Sequence, residues 1–236
     1  MIHSADPSWH SVLEKAFAAF DPEYLAYLQN DTTYFPDRYN FLNAFKTLPL
    51  HEMKYILFGQ DPYPRKESAI GYAFIDGKVQ SLFSENGLSK EVNRATSLRN
   101  FMKMLLLCEG ELESDFSKEA LAKIDTSGYI QTIHQLRQNF EKNGVLLLNM
   151  ALIFSSKEES KKHIKAWRGF VRMFLGALHE VAGDTELILF GKMAEEVEKL
   201  EEAKPFVKHV LPHPYNISFI TNPKAHKLFG PMKLLY

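Results

Sequence analysis

Three short stretches set polar side chains at the ends of apolar runs, where a reactive group can be held on a rigid support. Gly59-Gln60-Asp61-Pro62-Tyr63-Pro64-Arg65 follows Tyr55-Ile56-Leu57-Phe58. A glycine, an acid and two prolines in one turn leave the backbone little freedom. Two readings are open: a proline turn with Asp61 as its cap, or a rigid loop presenting a carboxylate and the Tyr63 ring to a pocket. Asn149 ends the run Val145-Leu146-Leu147-Leu148. A buried amide is destabilising unless its oxygen and nitrogen find partners, so it bonds either nearby backbone or a polar ligand. His213 stands between Pro212 and Pro214, with Ser218 shortly after; such an imidazole serves either structure or proton donation.

These groups need elements to carry them. Four apolar runs have the length of strands covered on both faces: Tyr55-Ile56-Leu57-Phe58, Tyr72-Ala73-Phe74-Ile75, Val145-Leu146-Leu147-Leu148 and Leu187-Ile188-Leu189-Phe190. A fifth short extended piece, Val207–Leu211, leads into His213. Helical patterns over 97–107, 132–142, 163–181 and 193–202 lie between them. In the first fifty residues, Trp9, Val12, Leu13, Phe17 and Phe20 recur at helical spacing, and Asp21-Pro22 opens a second helix. Alternating strands and helices predict an α/β fold, three-layer α/β/α, around a central mainly parallel four-stranded sheet. Ligands of such folds bind beyond the carboxyl ends of the strands, which is where Asp61, Asn149 and His213 fall.

Composition narrows the class. Hydrophobic residues make up 45% of the 236 and charged residues 24%, as in soluble globular proteins. Eighteen Phe, ten Tyr and two Trp supply a large core and exclude a disordered chain. Lys and Arg number 28 against 29 Asp and Glu, a formal charge of −1, so any polyanion site must be a local patch. Cys108 is the single cysteine; it has no disulfide partner and is expected as a buried thiol. Residues 1–10 lack a basic start before an apolar stretch, and the longest apolar segment, 145–154, is too short for a membrane span. The expectation is a cytoplasmic protein, one domain over 1–236 with a helical N-terminal region over 1–50.

In order and spacing, Gly59-Gln60-Asp61-Pro62-Tyr63, then Gly71-Tyr72-Ala73-Phe74, then Gly144-Val145-Leu146-Leu147-Leu148-Asn149, then His213-Pro214 with Ser218 resemble family 1 uracil-DNA glycosylases. The resemblance runs over 55–228, about three quarters of the chain. It implies a monomer that removes uracil from single- or double-stranded DNA by flipping the nucleotide into a pocket, with no metal or organic cofactor. It makes Asp61 the catalytic carboxylate and His213 the donor to the departing base. Tyr63 becomes the wall that excludes thymine, Phe74 the stacking ring, Asn149 the amide reading the uracil edge, and Gln60 a backbone contact to the base. Ile217 matches the wedge that fills the vacated stack. Tyr215 and Asn216 flank that wedge, and Ser97, Ser218 and Lys192 match positions that grip DNA phosphates.

The sequence also departs from the family pattern. Pro64 stands where a histidine is usual, and Arg65 follows it, either as a phosphate contact or as a solvated charge. Residues 78–96 contain no proline and are expected to be loose. Lys192 replaces a small hydroxyl residue, and Tyr215-Asn216-Ile217 replaces the usual small residue, Pro and Leu. Lys157, Lys161, Lys162, His163 and Lys165 read as a solvated helix approach, or a DNA flank; Lys224, His226 and Lys227 read as surface or as phosphate contacts. The base-pocket positions are kept, which favours an active enzyme. The alternatives are an enzyme of the same fold acting on another damaged base and a catalytically silent DNA-binding homologue.

Overall fold

The computed structural model describes residues 1–236. In chain order its elements are α1 (His10–Phe17), α2 (Pro22–Asn30), β1 (Tyr55–Gly59), the two-residue strands β2 (Phe83–Ser84) and β3 (Gly87–Leu88), α3 (Lys90–Arg94) and α4 (Thr96–Cys108). There follow α5 (Lys118–Leu121), α6 (Ile133–Lys142), β4 (Val145–Asn149), α7 (Ser160–Val181), β5 (Glu186–Phe190), α8 (Met193–Glu198), β6 (Val207–Leu211) and α9 (Pro223–Phe229). The chain divides into two compact units, one of 1–76 with 144–209, the other of 77–143 with 210–236.

The first unit is built on a sheet of order β4-β1-β5-β6. β1 pairs in parallel with β4 and β5, in registers that set Gly59 beside Asn149 and Phe58 beside Leu189. Ile56, Phe58, Leu146, Leu148, Leu187 and Leu189 join the core formed with α1 and α7. Leu57, Leu147 and Ile188, which alternate with them, are buried as well, so both faces are covered, as the three-layer class requires. α7 buries Trp167, Phe170, Val171, Phe174 and Leu178 at helical spacing, each contributing about 2–3 kcal/mol through burial. α1 offers Val12, Leu13, Ala16 and Phe17. Trp9 lies edge-on to Phe45 and donates its indole N–H to the Leu48 carbonyl at 2.7 Å. Asp21 caps α2 by accepting from the Glu23 N–H, with Pro22 at the first helical position.

The second unit is organised around α4. Phe101 stacks on Phe219 and meets Phe229 edge-on, and Phe229 in turn meets Phe140 of α6. Thr132 and Gln135 form a capping box at the start of α6. Asn139 holds the C-terminal segment by donating to the Leu234 and Tyr236 carbonyls.

Two expectations need correction. Tyr72-Ala73-Phe74-Ile75 forms a bend, not a strand; the fourth strand of the sheet is β6. Phe74 has φ of 67°, a left-handed conformation that an extended strand cannot contain. The segment 78–96 is ordered without proline: it holds the β2–β3 hairpin and α3, which Ser89 caps by accepting from the Val92 N–H. No helix is long and apolar enough to cross a membrane.

Candidate active site

Within the first unit, the chain leaving β1 is fastened to the chain leaving β4. Met150 N–H donates to the Gly59 carbonyl at 2.8 Å, and Ala151 N–H to the Gln60 carbonyl at 3.0 Å. Asp61 therefore starts its turn from a fixed point. The stretch from Asp61 to Asp76 is closed by an antiparallel bridge between Ala69 and Asp76 and by Arg65, whose guanidinium lies 3.4 Å from the buried Asp76 carboxylate. Across this loop the Tyr63 hydroxyl donates to the Phe74 carbonyl at 3.2 Å. Ala73 N–H donates to Leu147 of β4 at 3.0 Å. Phe74, held between these bonds in its left-handed conformation, lies with its ring 6.1 Å from that of Phe190. Non-glycine backbone of this kind persists only where its surroundings enforce it.

Asn149 ends β4 at 7% exposure. Its Oδ1 lies over the α-carbon of Gly59: a β-carbon there would stand 2.2 Å from it. The Asn149 side chain makes no hydrogen bond within the protein, and its amide keeps an accessible edge, because the fully buried side-chain atoms without a partner are Ser68 Oγ and Trp167 Nε1. Buried polar groups of native proteins are nearly always paired, so this amide is available to a polar ligand. Gln60, Asp61, Tyr63, Phe74 and Asn149 are thus gathered at the carboxyl ends of β1 and β4. Lys192 lies two residues beyond β5, exposed at the start of α8.

The electrostatics of the gathered groups are uneven. Burial raises the Asp61 carboxyl above its ordinary 3.8, opposed by one hydrogen bond from the Ser160 hydroxyl. Burial also pushes the Tyr63 phenol well up, keeping it protonated.

The remaining expected residues belong to the second unit. Ser97 lies in the first turn of α4, half-buried. One turn on, Asn100 is buried and donates its Nδ2 to the Pro214 carbonyl at 2.8 Å and the Tyr215 carbonyl at 3.2 Å. Asn216 N–H donates to the His213 carbonyl, and Phe219 N–H to that of Asn216. The loop 213–219 is a preformed protrusion, anchored by Asn100 behind and Phe219 beneath. Ile217 is 75% exposed at its tip and Tyr215 66%; Asn216 and Ser218 are exposed beside them. Tyr215 N–H donates to His213 Nδ1 at 3.0 Å, which makes Nδ1 the acceptor and leaves the ring proton of the neutral imidazole on Nε2. His213 is itself exposed beside Pro214, and partial desolvation of its ring shifts the imidazole below its ordinary 6.5.

No family model matches the chain. Its fold superposes on the wild-type UNG crystal structure from Nitratifractor salsuginis with a TM-score of 0.95, at 51% identity, over 99% of this chain and 94% of that one. The chain belongs to the uracil-DNA glycosylase family. Uracil-DNA glycosylases of Enterococcus faecalis and Fusobacterium nucleatum are 26% and 28% identical to it, over 89% and 87% of this chain and 82% and 80% of theirs. The mimivirus uracil-DNA glycosylase, at 18% identity and a TM-score of 0.58, shares the fold.

Several residues stand differently from their sequence expectation within this family frame. His163 is no solvated flank: it is buried, with Tyr24 OH 2.7 Å from Nδ1 and Ser155 Oγ 2.8 Å from Nε2. Arg65 is exposed, as in the solvated reading, and its guanidinium also lies 3.4 Å from the buried Asp76 carboxylate. His226 is engaged with the Ile220 carbonyl, 2.6 Å from its Nε2, leaving Lys224 and Lys227 as the exposed cations of α9. Cys108 is half-buried rather than buried, and desolvation pushes its thiol up to about 11. Asn100 and Ser160 escaped the sequence entirely. Each is a polar residue in a helix, where no local pattern distinguishes a partner on a distant loop from solvent.

Proposed function

We propose that the protein hydrolyses the bond between uracil and deoxyribose in DNA, leaving an abasic site. The observation that carries this reading is Asn149: an almost buried amide without a protein partner, at the end of the strand beside the Asp61 loop. The amide suits uracil, which presents an acceptor where cytosine presents an amine; a fixed Asn leaves the wrong base mispaired. The Tyr63 ring, fixed by its bond to Phe74, suits a wall against the methyl group of thymine. Phe74 supplies the stacking face, and Gln60 a backbone contact to the base.

As the bond breaks, positive charge grows on the sugar and negative charge on the base. The Asp61 carboxylate stabilises the sugar cation and orients water toward it. His213, neutral with its proton on Nε2, donates to the uracil oxygen that gains charge, a bond that strengthens in the transition state. Ile217 enters the stack left by the flipped nucleotide, between Tyr215 and Asn216 on one side and Ser218 on the other. Ser97, Ser218 and Lys192 hold phosphates. The similarity to the Nitratifractor protein extends over both units, which supports residues 1–236 as one family domain. A cytoplasmic monomer belongs to the same proposal, consistent with a lone cysteine that has no disulfide partner.

Single- and double-stranded oligonucleotides carrying one uracil, incubated with the protein and then cleaved with alkali, test the reading. Scission at the uracil is the expected result. Asp61→Asn is expected to slow it about 100- to 1,000-fold while uracil-DNA binding survives. An intact strand with the wild-type protein, or near-normal turnover by the variant, rejects the assignment.

A further inference from the structure

The proposed hydrolysis depends on Asp61, yet its own loop supplies no side-chain hydrogen bond to it. Gln60 is exposed, and Pro62 and Pro64 have no N–H to give. The one hydrogen bond the carboxylate makes comes from Ser160, whose Oγ lies 3.4 Å from Asp61 Oδ2. Ser160 is the first residue of the long helix α7.

Two observations separate this contact from an incidental one. The first turn of α7 is clamped from within, because His163 is 1% exposed and has both ring nitrogens engaged, by Tyr24 and by Ser155. The same ring stacks on Tyr27 at 5.9 Å. Ser160, one turn before His163, is therefore carried on rigid backbone. Its hydroxyl is also free of capping duty: the cap position is Glu159, with no side-chain cap bond. The distance is long for a hydroxyl–oxygen bond, and catalytic hydrogen bonds of a free enzyme commonly tighten when substrate arrives.

We propose that Ser160 is the positioning residue of Asp61, its hydroxyl holding Oδ2 so that Oδ1 is the oxygen presented to the sugar and the attacking water. This inference rests on the uracil-excising reading above. The donor opposes the upward push of burial on the carboxyl, so it also keeps Asp61 ionised at lower pH than the loop alone would allow.

Ser160→Ala and Ser160→Thr test it, with kcat and KM measured on a uracil oligonucleotide from about pH 4 to pH 8. Asp61 is titrated alongside, by carboxyl carbon NMR of the free protein. For Ser160→Ala, kcat is expected to fall about tenfold with KM within about twofold. The acid limb of kcat moves to higher pH, and the Asp61 carboxyl titrates higher. Ser160→Thr, which keeps the hydroxyl, restores both. An unchanged kcat, or a loss of kcat with limb and titration unmoved, overturns the positioning role. Should the wild-type protein release no uracil, the functional reading fails by itself. The Asp61 titration still decides the contact: an identical titration in wild type and Ser160→Ala overturns it, and an upward shift in the variant sustains it.

Discussion

A methyl group on Gly59 would stand 2.2 Å from Asn149 Oδ1 and 3.0 Å from the Ala73 β-carbon. Gly59→Ala therefore has to push the amide aside. We expect excision to fall at least about 100-fold with the circular dichroism spectrum retained; near-normal kinetics would show that the position of Asn149 is not critical. Asp61 carries a second consequence. Because burial raises its carboxyl above 3.8, ionising it costs the folded state free energy. Below the unfolded value the group is protonated in both states and the cost is absent; it is complete once pH has risen past the folded value. Asp61→Asn is expected to raise Tm at pH 7, with no gain near pH 3, as calorimetry at the two pH values would show. His213 works in the opposite sense. With its imidazole shifted below 6.5, the proposed donor stays neutral to more acid pH than an unperturbed imidazole, so the acid limb of kcat/KM is expected below 6.5, and a limb above it would contradict the proposed roles.

At the scale of elements, α4 (Thr96–Cys108) sets the geometry of the protruding loop. It supplies Asn100 to the loop backbone and Phe101 to Phe219, and it carries Ser97 on the same face as Asn100, one turn earlier. Asn100→Ala strips two carbonyls of a buried donor and is expected to cost about 1–3 kcal/mol of stability, read as a lower urea midpoint. Loosening the loop should slow excision from duplex more than from single strands, because unpairing and unstacking are needed only in the duplex. An equal effect on both substrates would detach the loop from base flipping.

For the whole molecule, the formal charge of −1 means that affinity for DNA cannot come from a general basic coat. Among the residues assigned to phosphates, Ser97 and Ser218 are neutral and Lys192 is charged. Salt dependence should therefore be shallow, and Lys192→Ala is expected to reduce the slope of log K against log salt by about 0.9. Fluorescence anisotropy across a salt series measures it, and an unaltered slope removes Lys192 from the contact set.

What could be read before folding, and what could not, follows from the range of the forces involved. β1, β4 and β5 were legible as apolar runs, and the glycine, acid and prolines around Asp61 as a rigid turn, because both depend on neighbours in the chain. Tyr72-Ala73-Phe74-Ile75 has the same apolar character as a strand, yet hydropathy carries no sign of φ; bonds from Tyr63 and to Leu147 go with its bend. His163 looked solvated amid lysines because the groups that bury it, Tyr24 and Ser155, come from other elements. The sequence by itself determined the α/β class and the polar groups at the strand ends. Only the tertiary structure decided that Asn149 is buried without a partner and that a serine 99 residues away reaches Asp61. Covalent spacing reports local geometry, whereas desolvation and hydrogen-bond partners exist only once distant segments have packed together.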